Sequence, residues 1–477
     1  MSLKSYVKLL ICCMAVFNFP ILGFSSLNKN DPYPVFTVLD PYDFLTSRIR
    51  ASYKYNEPDL PPERANLSIS GYTQKACRGT DFKHNKTDLG NLLGPWNVVG
   101  FFYDPNVAPL LLNALGLPSN VAEQTCVDFI KSTSTADSQQ RFGFFDVPIN
   151  YRKSGIRFEA NFMITCDLGF RINFGVADIR QTATLNDLTC SATALTCLAF
   201  SETTPSTNCL NTDCCNNIDC CVQSWPCDCK KLVINRIMKQ ICTIGKTLNL
   251  DFDDFHTTGL EDPILSLFWR RIYEINRNRP TWPYFLFTPY IVGEASLPFG
   301  KDINQNKVFS LPTGYNGHAS LGFRGGFSFD FVETILLGME AGFTHWFPRD
   351  YCNYRMPTNC LQSGIFPTGA NVRIEPGTNW EFNISMSAYH FIERLSVYIQ
   401  YVYVSHAQDC IKGLACDTPF LTKLASQLTK FEYQAINSSL WYDLSPGIAL
   451  GFLWQAPVNR RNAYRTNTFM GSIVATF

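Results

Sequence analysis

Cysteine is the residue type with the most chemistry to offer in this chain. The sequence contains 19 cysteines, and a dense group of them lies between Cys190 and Cys242. Closely spaced thiols can bind a soft metal ion or pair as disulfides. This segment has no C-x-x-C pair and no histidine, so it favours disulfides over a metal site. The candidate cysteines are Cys190, Cys197, Cys209, Cys214, Cys215, Cys220, Cys221, Cys227, Cys229 and Cys242.

Two more cysteine pairs lie in polar segments between predicted strands. Cys352 and Cys360 form one pair, and Cys410 and Cys416 form the other. We expect each pair to close its loop with a disulfide. The cysteine total is odd, so at least one thiol is left free or available to another molecule. This predicts disulfide-linked copies of the chain, or disulfide bonds to other envelope proteins.

His318 and Ser320 are the closest approach to a catalytic arrangement. Two residues apart on an alternating strand, they share a face, but no third group completes a triad. The acidic run Asp251, Asp253 and Asp254 lacks the spacing and the closing glutamate of a calcium loop. We therefore expect a hydrogen-bonded pair rather than an active site, and we expect no enzymatic activity, no cofactor and no bound metal.

Charged residues alternate with apolar residues along many segments. Arg157 and Glu159, for example, alternate with Ile156, Phe158 and Ala160. Successive side chains of a strand point to opposite faces, so each such strand has one apolar and one polar face. The polar faces could line an aqueous lumen with a weak ion preference, or they could be solvated surfaces or contacts with a plug. The pore-lining candidates are Arg48, Arg50, Arg157, Glu159, Arg171, Arg324, Asp330, Glu340 and Glu381.

Long alternating segments recur along most of the chain. Several of them run for about 10 to 14 residues and carry Trp or Tyr near their ends, as transmembrane strands do. Shorter strands would suit the soluble alternatives, a β-sandwich or a β-helix. The sequence therefore predicts an all-β protein with an antiparallel up-and-down transmembrane barrel of about 12–16 strands. The clearest segments are 45–55, 156–176, 320–331, 380–388, 395–403, 448–456 and 469–477.

The chain ends on an alternating strand. Phe469, Gly471, Ile473, Ala475 and Phe477 share one face. A terminal aromatic closing such a strand resembles the C-terminal signature strand of bacterial outer-membrane β-barrels. That resemblance implies that Phe469 and Phe477 serve as an assembly signal. It also implies that outer-membrane lipid and the barrel assembly machinery are partners of this chain.

The N-terminus predicts export. Lys4 and Lys8 precede an apolar run from Leu9 to Phe24, and small residues follow. This is typical of a signal peptide over residues 1–25; the alternative, a membrane anchor, needs a span of about 20 apolar residues. Charged residues make up 17% of the chain and aromatic residues 14%, and the formal net charge is zero. This balance gives no electrostatic reason to expect nucleic acid as a partner.

Two stretches interrupt the strand pattern. A short one has helical patterns at 109–115 and 121–131, and a long one covers residues 182–280. The long stretch is predicted to be helical near residues 233–248 and again after Asp262 and Pro263, where Arg270 and Arg271 would be constriction candidates. It could be an extracellular loop domain, a constriction or a plug. The predicted division is therefore 1–25, a signal peptide; 26–181, N-terminal barrel strands with a short helical insertion; 182–280, a cysteine-rich insertion; and 281–477, C-terminal barrel strands.

The signal peptide, the alternating strands, the surface cysteines and the terminal phenylalanine together resemble a cysteine-rich porin. The family is the major outer membrane protein of the chlamydial type. The resemblance implies a pore for small hydrophilic solutes, possible homo-oligomers, and disulfide support of the cell envelope. The alternative from another class is a plugged barrel that anchors a disulfide-stapled surface domain with an adhesive or structural role.

Overall fold

Strands dominate the chain, as the alternation predicts. The computed structural model describes residues 65–81, 83–97, 101, 104, 107–114, 144–165, 167–187, 240–275, 285–331, 335–358, 362, 364–392, 394–414, 420–445 and 447–476. Within this part of the chain no helix is both long enough and apolar enough to cross a membrane. The strands are β1 (Ala65–Ala76), β2 (Arg78–Thr80), β3 (Lys86–Asp88), β4 (Trp96–Asn97), β5 (Phe144–Asp146), β6 (Ile149–Met163), β7 (Leu168–Ala183), β8 (Asn186–Asp187), β9 (Phe255–Leu260), β10 (Ile264–Arg270), β11 (Tyr273–Ile275), β12 (Phe285–Ser296), β13 (Ser320–Phe331), β14 (Ile335–Trp346), β15 (Arg349–Met356), β16 (Thr368–Glu375), β17 (Asn379–Ile392), β18 (Leu395–His406), β19 (Cys410–Gly413), β20 (Phe431–Ser445), β21 (Ile448–Arg461), β22 (Ala463–Tyr464) and β23 (Asn467–Thr476).

The long strands form a closed antiparallel barrel of 12 strands, which confirms the predicted fold class. In order around the wall they are β1, β6, β7, β9 with β10, β12, β13, β14, β17, β18, β20, β21 and β23. Strands β9 and β10 lie end to end along β7 and together occupy one place in the wall. Strand β23 pairs with β1 over ten residue pairs and so closes the barrel. Closure leaves no long sheet edge unpaired, as a hydrocarbon environment requires.

The two faces of the wall are the reverse of those in a soluble protein. On β1, Leu67 and Ile69 are 45% and 53% exposed, whereas Ser70 is 1% exposed. On β6, Phe158 is exposed and Arg157 is buried. Apolar side chains therefore cover the outside of the barrel and polar side chains fill the inside. This arrangement is stable only when lipid, not water, surrounds the wall.

The two ends of the barrel differ in loop length. At one end, four of the five connections are short, at residues 164–167, 332–334, 393–394 and 446–447, and the fifth covers residues 271–284. At the other end, five of the six connections are long, at residues 77–148, 184–254, 297–319, 347–378 and 407–430, and the sixth covers residues 462–466. Outer-membrane barrels keep short turns on the periplasmic side and long loops outside the cell. We call the described parts of the long connections, together with β22, the cap.

The cap packs around a hydrophobic core that continues onto the inward faces of β6, β7 and β9, through Tyr151, Ile179 and Phe255. Trp96 from the first long connection is buried, stacks on Phe309 from the third at 5.9 Å, and donates a hydrogen bond to the Gly90 carbonyl at 2.7 Å. In the described residues the cap contains three small sheets and three short helices, and the sheet of β15, β16 and β19 packs a second apolar cluster with Tyr354 and Val372. The helices are α1 (Ala108–Ala114), α2 (Ile241–Thr247) and α3 (Thr422–Gln427), with a 3-10 turn at Leu89–Asn91.

One predicted helix is wrong. The segment after Asp262 and Pro263 forms strand β10, so Arg270 and Arg271 do not lie on a helix. Leu265, Leu267 and Trp269 face outward on this strand, and Phe268 faces inward. The segment forms a strand because it pairs with β7 on one side and β12 on the other. This pairing outweighs the helical spacing of its apolar residues. The barrel therefore resumes at Phe255, earlier than residue 281.

The other helix predictions have mixed outcomes. Helix α1 coincides with the pattern predicted near residues 109–115, and α2 forms the end of the pattern near residues 233–248. The pattern at 121–131 and the strand at 45–55 lie outside the described residues.

Candidate functional site: the barrel lumen

The lumen is lined by the inward residues of the alternating strands. Among the predicted pore-lining residues, Arg157, Glu159, Arg171, Arg324, Asp330, Glu340 and Glu381 all face inward. Arg48 and Arg50 lie outside the described residues. Between β6 and β17 the wall holds nearly all of the charged inward side chains, and we call this part the ionised wall. The remaining strands, from β18 to β1, form the neutral wall.

The first charged cluster of the ionised wall is centred on Glu261. Arg157 donates from Nε to Glu261 Oε2 at 2.6 Å and from Nη2 to Oε1 at 2.9 Å. Lys153 Nζ lies 2.6 Å from Oε1, and the Tyr72 hydroxyl donates to the same oxygen at 2.7 Å. The Arg157 guanidinium also stacks 4.3 Å from the Tyr72 ring centroid. A two-pronged arginine–carboxylate contact of this kind fixes both partners.

The second charged cluster is centred on Glu294. Arg171 donates to Glu294 and to the Ser266 hydroxyl, and Arg324 Nη2 lies 2.7 Å from Glu294 Oε2. Arg324 Nη1 is also 3.6 Å from Glu381 and 4.0 Å from Glu340. This cluster therefore combines two arginines with three glutamates.

Amide side chains extend the charged clusters. Asn383 donates to Glu340 at 3.2 Å, and Asn161 donates to Glu159 at 2.7 Å and to Asn66 at 2.8 Å. Carboxylates that accept amide hydrogen bonds keep their charge at lower cost than isolated ones.

The neutral wall is held by pairs of uncharged polar side chains. Ser70 and Ser472 share a hydrogen bond of 2.7 Å across the β1–β23 seam. Asn437 donates to Gln400 at 3.2 Å, and Thr468 donates to Gln455 at 3.4 Å. Within the described strands β18, β20, β21, β23 and β1, the inward positions between Asp443 at one end and Arg460 at the other carry no charged side chain.

Lumen side chains are buried despite being polar. Arg171 is 2% exposed, Arg324 3%, Glu159 3% and Asn437 0%. Burial of charge is costly unless each charge is paired, and the two clusters provide that pairing. The lining therefore consists largely of buried, paired polar groups rather than a wide water-filled surface.

The two constriction candidates, Arg270 and Arg271, lie in different environments. Arg270 is inward and buried, whereas Arg271 follows the strand and is exposed, lying 5.7 Å from the Tyr273 ring. Only Arg270 can therefore contribute to the lumen.

The cysteine candidates are only partly described. Cys352 and Cys410 are exposed free thiols, so the structure forms neither of the two predicted loop disulfides. Cys77, at the end of β1, is a third exposed free thiol. Cys242 belongs to helix α2, but its side chain is not described. The other cysteines of the predicted cluster, with Cys360 and Cys416, lie outside the described residues.

His318 and Ser320 do not contact each other as a catalytic pair. His318 Nδ1 lies 2.9 Å from the Phe347 carbonyl, and Nε2 lies 2.8 Å from the Tyr351 hydroxyl. Ser320 instead bonds to Ser296 at 2.7 Å. Burial in the cap lowers the pKa of His318 to about 4. The imidazole is therefore a neutral structural group in the cap at physiological pH.

Phe469 of the predicted assembly signal is exposed on the outer face of β23, and Phe477 lies outside the described residues.

Two central lumen residues are absent from the predicted set, Glu261 and Glu294. Glu261 lies between β9 and β10, in the stretch predicted to be an insertion. Glu294 lies on β12, where Pro289 and Gly293 obscure the alternation. The period-two pattern of Leu265, Leu267 and Trp269 could have placed this segment in the wall, but not Glu261 in the lumen, because the alternation changes phase between β9 and β10.

A closed antiparallel wall with lipid-compatible residues outside and paired polar residues inside defines a membrane-spanning β-barrel of the bacterial outer-membrane type. No protein-family model and no curated relative matches the sequence. Among solved structures, it is similar to an outer membrane channel from Pseudomonas putida F1, with a TM-score of 0.43, 8% identity, and coverage of 89% of this chain and 100% of that one. It is also similar to the translocator domain of the autotransporter NalP from Neisseria meningitidis (TM-score 0.32, 6% identity, 91% and 96% coverage) and to the CymD monoaromatic hydrocarbon channel (0.30, 6%, 96% and 98%).

Proposed function

We propose that this barrel is a narrow, porin-like channel that passes small hydrophilic solutes and ions across the bacterial outer membrane. The observation that carries the proposal is the polar lining of a closed wall. Lipid requires an apolar exterior, but nothing about lipid requires arginine and glutamate clusters inside. Such groups in a membrane protein mark a path for polar solutes more often than a structural filler.

Burial of the lining argues for a narrow path. General-diffusion pores hold an open water column, whereas Arg171 and Arg324 here are almost inaccessible. We expect low conductance, with brief openings in which part of the paired lining moves aside.

The decisive experiment is planar-bilayer recording of the refolded full-length protein. Discrete, voltage-dependent openings support the channel. A barrel that folds, as judged by its heat-modifiable gel mobility, yet stays silent at all voltages contradicts it.

The second candidate is a plugged barrel that anchors a surface domain. Two observations favour it: the buried lining and the hydrophobic core that packs the cap against the end of the barrel. A silent barrel that still binds host cells or envelope components through the cap would support this alternative.

We also propose that exposed thiols of the cap region link the protein to other copies or to envelope proteins. Cys77, Cys352 and Cys410 are accessible, and export to an oxidising compartment favours disulfides. Non-reducing gels of the native membrane should show species that collapse to monomer on reduction. Identical mobility with and without reductant would overturn this part. Cleavage of residues 1–25 as a signal peptide is expected on the same route, and N-terminal sequencing of the mature protein tests it.

A further inference from the structure

A straight row of basic side chains crosses four adjacent strands on the outer face of the barrel. Lys75 of β1 pairs in register with Arg152 of β6, and Arg152 pairs with Arg180 of β7. Arg180 in turn pairs with His256 of β9. All four side chains point outward and are exposed. We call these four residues the basic row.

The outward residues become less polar in two steps from the basic row toward the short-turn end. One step toward the short-turn end, the outward positions are Thr73, Ser154, Asp178 and Thr258. One step further they are Gly71, Ile156, Val176 and Leu260, where the three side chains larger than glycine are exposed and apolar. Strand geometry separates alternate rows by about 6 to 7 Å. The sequence of cationic, hydroxylic and apolar rows matches the sequence of phosphate, glycerol and hydrocarbon in a lipid leaflet.

The basic row costs stability unless something neutralises it. Like charges directly opposite each other on neighbouring strands repel. Asp178 contacts Arg180 at 3.0 Å and also contacts His256. Lys75 and Arg152 form no ion pair with any residue that the structure describes. The row therefore keeps an excess of positive charge next to the apolar band.

A different part of the same rim shows the contrasting arrangement. There Lys430 and Arg461 both lie 3.7 Å from Glu432, which neutralises them within the protein. The excess charge is thus a local feature of strands β1, β6, β7 and β9 rather than a property of the whole rim.

We propose that the basic row binds the phosphate groups of anionic lipid in the leaflet that faces the cap. Charge complementarity and the continuity of the row with the apolar band together select a lipid over a soluble anion. Acyl chains would lie along Ile156 and Val176 while the headgroup phosphate meets Arg152 and Arg180. The inference rests on the barrel spanning a membrane and not on its conducting solutes.

The test uses refolded full-length protein in detergent and vesicles of phosphatidylcholine with or without a phosphatidic acid component. Co-purified phosphatidic acid per barrel is counted by native mass spectrometry for the parent chain and for the triple variant Lys75→Gln, Arg152→Gln, Arg180→Gln. A matched control, Lys412→Gln, Arg373→Gln, Lys423→Gln, removes the same charge from other exposed sites. Heat-modifiable mobility verifies that each variant folds.

We expect apparent affinity for phosphatidic acid to fall by about fivefold per side chain removed, and on the order of 100-fold for the triple variant. Added salt should weaken binding to the parent chain. Equal retention by the triple variant and the control would overturn the proposal. So would complete displacement of the lipid by millimolar inorganic phosphate, because a site for free anion needs no apolar band.

Discussion

The two walls of the lumen meet the same burial requirement in different ways. The ionised wall uses clusters in which one carboxylate serves several cations, as Glu261 does for Arg157 and Lys153. The neutral wall uses uncharged hydrogen-bonded pairs such as Ser70 with Ser472. A shared partner makes each member of a cluster depend on the others, whereas a hydrogen-bonded pair can be lost with little effect elsewhere. We therefore expect the ionised wall to be sensitive to substitution and the neutral wall to be tolerant.

The largest expected effect is at Glu261. Glu261→Gln keeps the shape of the side chain but leaves Arg157 and Lys153 without their shared charge. Breaking a buried ion pair from one side costs about 3 to 5 kcal/mol, so the free energy of unfolding should fall by that order. Urea unfolding of the barrel in lipid vesicles measures it. A loss below about 1 kcal/mol would mean that water already solvates this cluster.

An intermediate effect is expected at His318. This buried residue of the cap is a titratable group that stays uncharged, unlike the paired charges of the ionised wall. The unfolded chain takes up a proton near pH 6.5, whereas burial holds the pKa in the folded cap at about 4. The unfolded state therefore binds more protons between these values, and cap stability should fall as the pH drops from 6.5 to 4. The loss should approach about 3 kcal/mol at pH 4.

Hydrogen exchange of cap amides at pH 7 and pH 4.5, corrected for intrinsic rates, follows this loss. His318→Gln removes this titrating group and should make the dependence on pH shallower. An equally steep dependence in that variant would assign the acid sensitivity to another group.

The smallest effect is expected at the β1–β23 seam. Ser472→Ala leaves Ser70 with one lost partner and should cost about 1 kcal/mol. The double variant Ser70→Ala, Ser472→Ala should recover most of this, because both polar groups are then removed together. The unfolding midpoints of the parent chain, the two single variants and the double variant together form a double-mutant cycle, which measures the interaction between the two serines. A double variant as damaged as the sum of the singles would show that the neutral wall is also a network.

The barrel could be predicted from the sequence because its outer face contacts lipid and its inner face is polar, which imposes a strict period of two on each strand. Arg157 with Phe158, and Arg324 with Phe323, reveal the inner and outer faces without any knowledge of partners. Glu261 could not be found in this way, because it lies at the junction of β9 and β10, where the alternation breaks. The partners within each cluster depend on register, and a local pattern does not contain register.

The cap was predictable only as an interruption of the strands. Its core joins residues such as Trp96 and Phe309, which are far apart in the chain and carry no shared period. The basic row escaped notice for the same reason, since Lys75, Arg152 and Arg180 become neighbours only through strand pairing.

A channel of the proposed kind should pass its solutes along the charged side chains of the ionised wall, and ion selectivity tests this most directly. Glu340→Gln with Glu381→Gln removes two negative charges from the cluster around Arg324, and Asn437→Ala with Ser439→Ala is the matched change on the neutral wall. Reversal potentials in a potassium chloride gradient give the cation-to-anion permeability ratio of each form. We predict that the ratio falls severalfold in the glutamate variant and stays at the parent value in the control. An unchanged ratio in a folded, conducting glutamate variant would contradict the account.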